Sequence, residues 1–229
     1  MLAIDSISSP FGDGFGFAVK TACDYDEAAL YPEEMALLSA KAVKKRRIEF
    51  CIGRIAAHSA LRDINIDAAA VLKGPQHEPV WPGGVAGAIS HSDGLALAAV
   101  APKERAAGIG IDIEIIDANV SRDIVKEVCT PGETAWVKQR DNREIERLFM
   151  VFSAKESIFK AFFPIEHIFL DYQDAELVWQ ENTGNFGGKL LARAGTGYEA
   201  GYPFEVGCRK IGRYIFTFMS LPPVREPAP

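Results

Sequence analysis

A chain of 229 residues that is 48% hydrophobic and 24% charged has an ordinary globular composition, with room for one large core or two small ones. Its formal net charge of −6 excludes a protein that is basic overall and binds nucleic acid along its whole surface, while still permitting a local basic pocket. The opening MLAIDSISSPFGDGFGF has no positive n-region and carries Asp5, and no apolar run approaches a membrane span, so neither a signal peptide nor a transmembrane segment is expected.

Taken in chain order, GDGFGF comes first. Gly12, Gly14 and Gly16 lack the G-x-G-x-x-G spacing and follow no strand, so a dinucleotide-binding reading fails. From YPEEMALL to AHSALRDI the pattern is helical: Pro32 sits in a first turn followed by acids, and a long helix covers roughly residues 40–63. The Pro/Gly-rich KGPQHEPVWPGG is a loop. AGAISHSDGLALAAVA predicts a hairpin turning at Ser92-Asp93-Gly94. PKERAA connects it to a strand, GIGIDIEII. Thr130, Pro131 and Glu133 predict a capping box that opens a helix, and DNREIERLF opens the next one. After Pro164 five strands are expected, in HIFLDYQ, AELVWQ, KLLARA, PFEVGCRK and YIFTFMSL, and the tail LPPVREPAP is expected to be an extended arm. Helix followed by strands, twice over, predicts an α+β chain of two similar halves, residues 1–105 and 106–229.

In GIGIDIEII apolar and non-apolar positions alternate. Ile109, Ile111, Ile113 and Ile115 point one way; Gly108, Gly110, Asp112 and Glu114 point the other. The two carboxylates stand about 6–7 Å apart along the strand, and the two glycines leave room for something bulky. A solvated acidic face is one reading. The other is a divalent cation, which would remove the repulsion of two like charges; an all-oxygen site of few carboxylates suits magnesium. In VFSAKESIFKAFF, Glu156 shares a helix side with Phe152, Phe159 and Phe163. An i,i+4 pair with Lys160 is the bland reading; a third carboxylate for the metal, or a general base, is the functional one. Arg47, Arg54 and His58 project within about 40° of one another; a solvated face is the usual meaning of such spacing, and Arg47 and Arg54 are candidates for a phosphate clamp. The four cysteines stand far apart without metal-ligand spacing, which predicts reduced thiols in a cytoplasmic protein and no zinc; Cys51 and Cys129 have no evident histidine partner for nucleophilic work.

GIGIDIE resembles the G-x-D-x-E motif, and FSAKESIFK the W/F-x-x-K-E-x-x-x-K motif, of the 4′-phosphopantetheinyl transferases; RRIEFCIGRIAA, EPVWP and ISHS precede them in the expected order. The likeness covers roughly residues 40–163 and is strongest to the monomeric, two-lobed branch that activates siderophore and nonribosomal peptide synthetases. It implies a pseudo-dimer of two α/β lobes with coenzyme A in the cleft between them. It also implies transfer of the phosphopantetheine arm to a serine of an apo acyl or peptidyl carrier protein, with release of 3′,5′-ADP. Asp112, Glu114 and Glu156 then resemble the magnesium ligands, and Glu156 also the base. Lys155 and Lys160 resemble the lysines near the pyrophosphate. Ser90 and His91 resemble phosphate contacts, and Arg47 and Arg54, with Lys73 and His77 of the loop, the residues that hold the nucleotide 3′-phosphate. His77 stands where relatives often carry a basic residue, and Phe152 where many carry tryptophan. The residues by themselves leave two rivals: a magnesium-dependent phosphohydrolase, and a degenerate module that binds coenzyme A or a carrier without transfer.

Overall fold

The structure, a computed structural model, describes residues 7–67 and 69–223. Its helices and strands form two lobes that share a strand, a long helix and a closing hairpin. In the first lobe Gly16–Thr21 (β1) is followed by the short Pro32–Met35 (α1), the long Lys44–Asp63 (α2) and a hairpin of Val85–Ser92 (β4) and Leu95–Pro102 (β5). A two-residue ladder, Leu72–Lys73 (β2) with Pro79–Val80 (β3), interrupts the loop between helix and hairpin. In the second lobe Gly108–Ile115 (β6) is followed by Val125–Val128 (α3), Pro131–Val137 (α4) and the long Glu144–Glu166 (α5). Then come Ala175–Gln180 (β7), Asn185–Leu190 (β8), Pro203–Ile211 (β9) and Tyr214–Leu221 (β10). The sheets run β1-β5-β4 and β6-β10-β9-β8-β7, all antiparallel. In each lobe the first strand precedes the long helix and pairs with the last strand of the hairpin that follows it. Two α/β units that share this strand, helix and hairpin, the second enlarged by β7 and β8, form the expected pseudo-dimer.

The glycines explain how closely each helix lies on its sheet. A Cβ on Gly16 would stand 1.9 Å from the Ala60 carbonyl oxygen of α2. One on Gly108 would stand 2.0 Å from that of Ala161, and one on Gly110 1.8 Å from that of Ser157, both on α5. The opening glycine of the first strand thus meets the helix backbone in both lobes, a contact that any side chain would forbid. The room beside the carboxylates is therefore filled by α5.

The other face of β6 joins the lobes. Ile109, Ile111 and Ile113 pack with Ala86, Ala88, Leu95, Leu97, Ala99 and Phe216 in one buried cluster, where the small alanines let the two sheets approach. Phe11 stacks on Phe15 and meets Phe218 of β10 edge-on, tying the N-terminal segment to the second lobe. A buried hydroxyl cluster sets α5 on β10: Thr217 Oγ1 donates to the Ser153 carbonyl at 2.8 Å and lies 2.9 and 2.7 Å from the hydroxyls of Ser153 and Ser157.

Several elements differ from the sequence expectation. The helix α2 begins at Lys44: Val43 supplies no capping side chain, and the next four residues are cations, which the positive end of a helix dipole disfavours. The helix α5 runs through Pro164 to Glu166 and is closed by His167 at φ 56°. The expected strand HIFLDYQ is a loop ending in a 3-10 turn at Tyr172–Asp174, because Asp171 and Asp174 cap one another's backbone there. The strand expected in KLLARA starts earlier, at Asn185, and stops at Leu190. The hairpin turn is as expected, with Asp93 at φ 48° and Gly94 at φ 76°. Residues 224–229 of the proline-rich tail lie outside the described residues. Among the described residues no helix is long and apolar enough to cross a membrane.

Candidate active site

Asp112 and Glu114 sit on the face of β6 that α5 covers, and α5 carries Glu156 and Lys160. Asp112 is 2% exposed, so the solvated acidic face is excluded. Its Oδ1 accepts from Lys160 Nζ at 2.7 Å and from Ser90 Oγ at 2.8 Å, while Oδ2 is buried without a hydrogen-bond partner. Burial, with help from the neighbouring Asp112 charge, pushes the Glu114 carboxyl up to about 7 against the pull of Lys160; Glu156 adds a smaller push in the same direction. Lys160 therefore serves the strand carboxylate rather than forming the i,i+4 pair with Glu156.

Glu156 stays on the aromatic side of α5. Phe159 stacks on Phe163, and Phe152 lies 5.8 Å from Tyr172. The Glu156 carboxylate is not left bare among them, because Tyr172 Oη donates to its Oε1 at 2.6 Å. Lys155, one residue earlier, turns into the second lobe and is 3% exposed. Its ammonium reaches the carbonyls of Tyr172 at 2.7 Å and Ala175 at 2.5 Å and lies 3.0 Å from Glu133 Oε1. Burial lowers its proton affinity, and Glu133 counteracts this. All three N–H bonds of Lys155 thus have acceptors within the protein, although the residue lines a cavity together with Glu156. Glu133 also completes the predicted capping box with Thr130 and accepts from Leu177 N–H.

The basic stripe on α2 divides. Arg47 is bound two-pronged by Glu27, at 2.8 and 2.9 Å, and His58 Nε2 lies 2.9 Å from the fully buried Glu34, so each has a carboxylate partner of its own in the first lobe. Arg54 is 7% exposed, lies over the Phe50 ring at 4.7 Å, and its Nε is buried without a partner. Burial pushes its guanidinium down to about 10. It lines a pocket with Arg46, Glu49, Lys73, His77 and His91. Sequence reasoning missed Arg46, yet Arg46, Phe50 and Gly53 fall within about 60° on the helix wheel, and this is the face that meets the pocket. His77 holds φ 73° in the turn of the β2–β3 ladder. Burial lowers the proton affinity of His91, with Glu49 opposing. Ser90 is 4% exposed and its hydroxyl is engaged by Asp112 and the Ile113 N–H.

Three cavities run on from one another. The basic pocket shares His77, Pro79 and Ile89 with a second one between the lobes, lined by Lys160, Phe163 and Glu156. That pocket shares Glu156 and Phe159 with a third, lined by Phe169, Leu170 and Tyr172. The result is a cleft that is cationic at one end and aromatic at the other, with Lys160 and Glu156 between. Phe169, 69% exposed and 5.3 Å from the Phe159 ring, and Tyr172 were both hidden by the strand-like reading of HIFLDYQ. Burial raises the thiols of Cys51 and Cys129, the latter to about 12, which removes both as nucleophiles.

The chain is similar to known proteins over both lobes. Residues 33–101 match the 4′-phosphopantetheinyl transferase N-terminal domain, and residues 108–203 match the 4′-phosphopantetheinyl transferase superfamily. The 4′-phosphopantetheinyl transferase Svp of Streptomyces mobaraensis is 36% identical over 178 residues, covering 76% of this chain and 71% of that protein. The 4′-phosphopantetheinyl transferase PptT of Mycobacterium tuberculosis is 31% identical, covering 71% and 70%. Enterobactin synthase component D of Escherichia coli K12 is 39% identical over 132 residues, covering 57% and 62%. With its paired lobes, its inter-lobe cleft and these matches, the chain belongs to the 4′-phosphopantetheinyl transferase superfamily.

Proposed function

We propose that this cleft carries out the transfer for which the family is named, moving 4′-phosphopantetheine from coenzyme A to a serine of an apo acyl or peptidyl carrier protein. The observation that carries the reading is the order of groups along the cleft: a cationic pocket, then Lys160, then Glu156, then an aromatic end. Coenzyme A has a matching order, with its 3′-phosphate at one end and its pyrophosphate between the nucleotide and the thiol arm. Arg46, Arg54, Lys73, His77 and His91 hold the nucleotide phosphate. Lys160 meets the pyrophosphate. The aromatic end, at Phe159 and Phe169, faces the carrier.

In the reaction the serine oxygen bonds to the phosphorus of the phosphopantetheine group, and the bond from that phosphorus to the bridging oxygen breaks. The serine proton passes to Glu156, and 3′,5′-ADP leaves with its terminal phosphate charge met by Lys160. The lobes supply both walls from one chain, which supports a monomer acting alone. The unpaired Cys23, Cys51, Cys129 and Cys208 support a cytoplasmic setting. The relative named for enterobactin synthesis supports peptidyl carriers of siderophore or nonribosomal peptide assembly as partners.

We assign Asp112, Glu114 and Glu156 to Mg²⁺. Among the described residues no three such side chains converge on a ready-made metal position. The donor set nevertheless fits a hard cation: an orphaned buried Asp112 oxygen, and a Glu114 carboxyl raised first by burial and then by the neighbouring Asp112 charge. A bound Mg²⁺ would neutralise oxygen charge on the pyrophosphate.

The test is to incubate the protein with coenzyme A, Mg²⁺ and a panel of apo carriers, and to follow carrier mass, with Glu156→Gln and Asp112→Asn alongside. A Mg²⁺-dependent gain of phosphopantetheine that both variants lose is expected. Hydrolysis of phosphate esters without a carrier would favour a phosphohydrolase, and coenzyme A binding without transfer would favour a degenerate module.

A further inference from the structure

We propose that Tyr172 is a positioning residue for the transfer: its hydroxyl orients the Glu156 carboxylate, and Lys155 holds Tyr172 in place to do so. The inference rests on the role of Glu156 given above.

Lys155 and Glu156 are adjacent on α5, so their side chains diverge by about 100°. One enters the second lobe and the other faces the cleft, yet both end on the same short turn. Lys155 Nζ donates to the Tyr172 carbonyl at 2.7 Å and to the Ala175 carbonyl at 2.5 Å, one at each end of the 3-10 turn. The Tyr172 hydroxyl then returns to Glu156 Oε1 at 2.6 Å. The turn is also tied at its start, where the Asp174 carboxylate accepts from Asp171 N–H and the Asp171 carboxylate from Tyr172 N–H. The Tyr172 ring is half-buried and lies 5.8 Å from that of Phe152. A glutamate on a helix rotates about three side-chain bonds, and a base must be aimed at its proton within hydrogen-bond reach. Holding one carboxylate oxygen through a phenol fixes the direction of the other. Lys155, whose ammonium is taken up by the Tyr172 and Ala175 carbonyls and Glu133, acquires a role this way: it is the anchor of the residue that aims its neighbour.

Tyr172→Phe keeps the ring and removes only the hydroxyl. The expected result is a kcat lowered about tenfold, equivalent to about 1.4 kcal/mol at the transition state, with the coenzyme A Kd from calorimetry and the carrier KM within about twofold of the parent. A merely structural hydrogen bond would lower Tm and weaken binding together with kcat, or change nothing; either result overturns the proposal. Glu156→Gln, assayed alongside, separates the two readings. If it stays active, the role of Glu156 is wrong. If it is inactive while folded Tyr172→Phe is fully active, Glu156 stands and Tyr172 falls. In the Lys155→Met background, Tyr172→Phe should cost little more if Lys155 acts through Tyr172. An undiminished tenfold loss there overturns the anchoring step. Should Lys155→Met not fold, because it strands the buried Glu133, Lys155→Met with Glu133→Gln, which leaves no stranded charge, serves as the background, and an undiminished tenfold loss there likewise overturns the anchoring step.

Discussion

Ser90 and Asp112 belong to different lobes, and the Ser90 hydroxyl donates to Asp112 Oδ1 at 2.8 Å while accepting the Ile113 N–H at 3.2 Å. Lys160 completes the cluster from α5. The most buried acid of the site is therefore held by a strand of the other lobe, and the cleft cannot be assembled by either half alone.

Ser90→Ala should consequently destabilise the whole chain. The Asp112 carboxylate already has one unpaired buried oxygen, and the variant weakens the satisfaction of the other. Leaving a buried group short of a hydrogen bond costs about 1–3 kcal/mol. Urea denaturation should show this as a lower midpoint with an unchanged slope. An unchanged midpoint would mean that the inter-lobe clasp contributes nothing.

Arginines on one helix should behave differently. Arg54→Leu and Arg46→Ala should each weaken coenzyme A binding about tenfold and leave binding of 3′-dephospho-coenzyme A much less affected, because a lost charge-assisted hydrogen bond costs about 1.5–3 kcal/mol. Arg47→Ala should leave both affinities unchanged, since Glu27 already occupies that guanidinium. Calorimetry on the three variants with both nucleotides checks the assignment; equal losses for Arg46 and Arg47 would refute it.

Phe169 offers a probe of the carrier surface. It is 69% exposed, so Phe169→Ser should leave Tm within a few degrees. The carrier KM should rise several-fold and the coenzyme A Kd should not move, as expected for an apolar anchor at a docking surface. Phe163, 3% exposed, is a poorer choice because truncating it opens the core.

Acid should act through Glu34. Burial pushes this carboxyl up, but hydrogen bonds from His58, Val71 N–H and Tyr31 N–H outweigh that and leave it below its ordinary value of 4.5. A carboxyl lower in the folded than in the unfolded chain binds fewer protons when folded. Its contribution is complete above about pH 4.5 and is lost as pH falls through the folded value. Glu34→Gln should lower stability at neutral pH and flatten the acid limb of a stability–pH curve measured by denaturant titration. A variant as acid-sensitive as the parent would show that other carboxylates set that limb.

Much of the site was legible in one dimension because its chemistry is local. Alternation alone placed Asp112 and Glu114 on one face of β6, helical spacing put Glu156 with the phenylalanines of α5, and Thr130 to Glu133 spelled a capping box. The Ser92-Asp93-Gly94 turn followed from residues that tolerate positive φ. What tertiary structure decided was the choice of partner. Lys160 had two acids within reach, one four residues away on its own helix and one across the packing interface, and the close approach allowed by Gly110 gave it Asp112. Arg46 and Arg47 are neighbours that read alike; which one faces the cleft depended on where Glu27 came to lie. Lys155 reads in the sequence as a phosphate ligand, and only the fold shows its ammonium meeting the Tyr172 and Ala175 carbonyls and Glu133. The period of a strand or helix fixes direction, and the sequence carries that period. Which group waits in that direction depends on residues brought together by folding from far along the chain, and no local pattern encodes them.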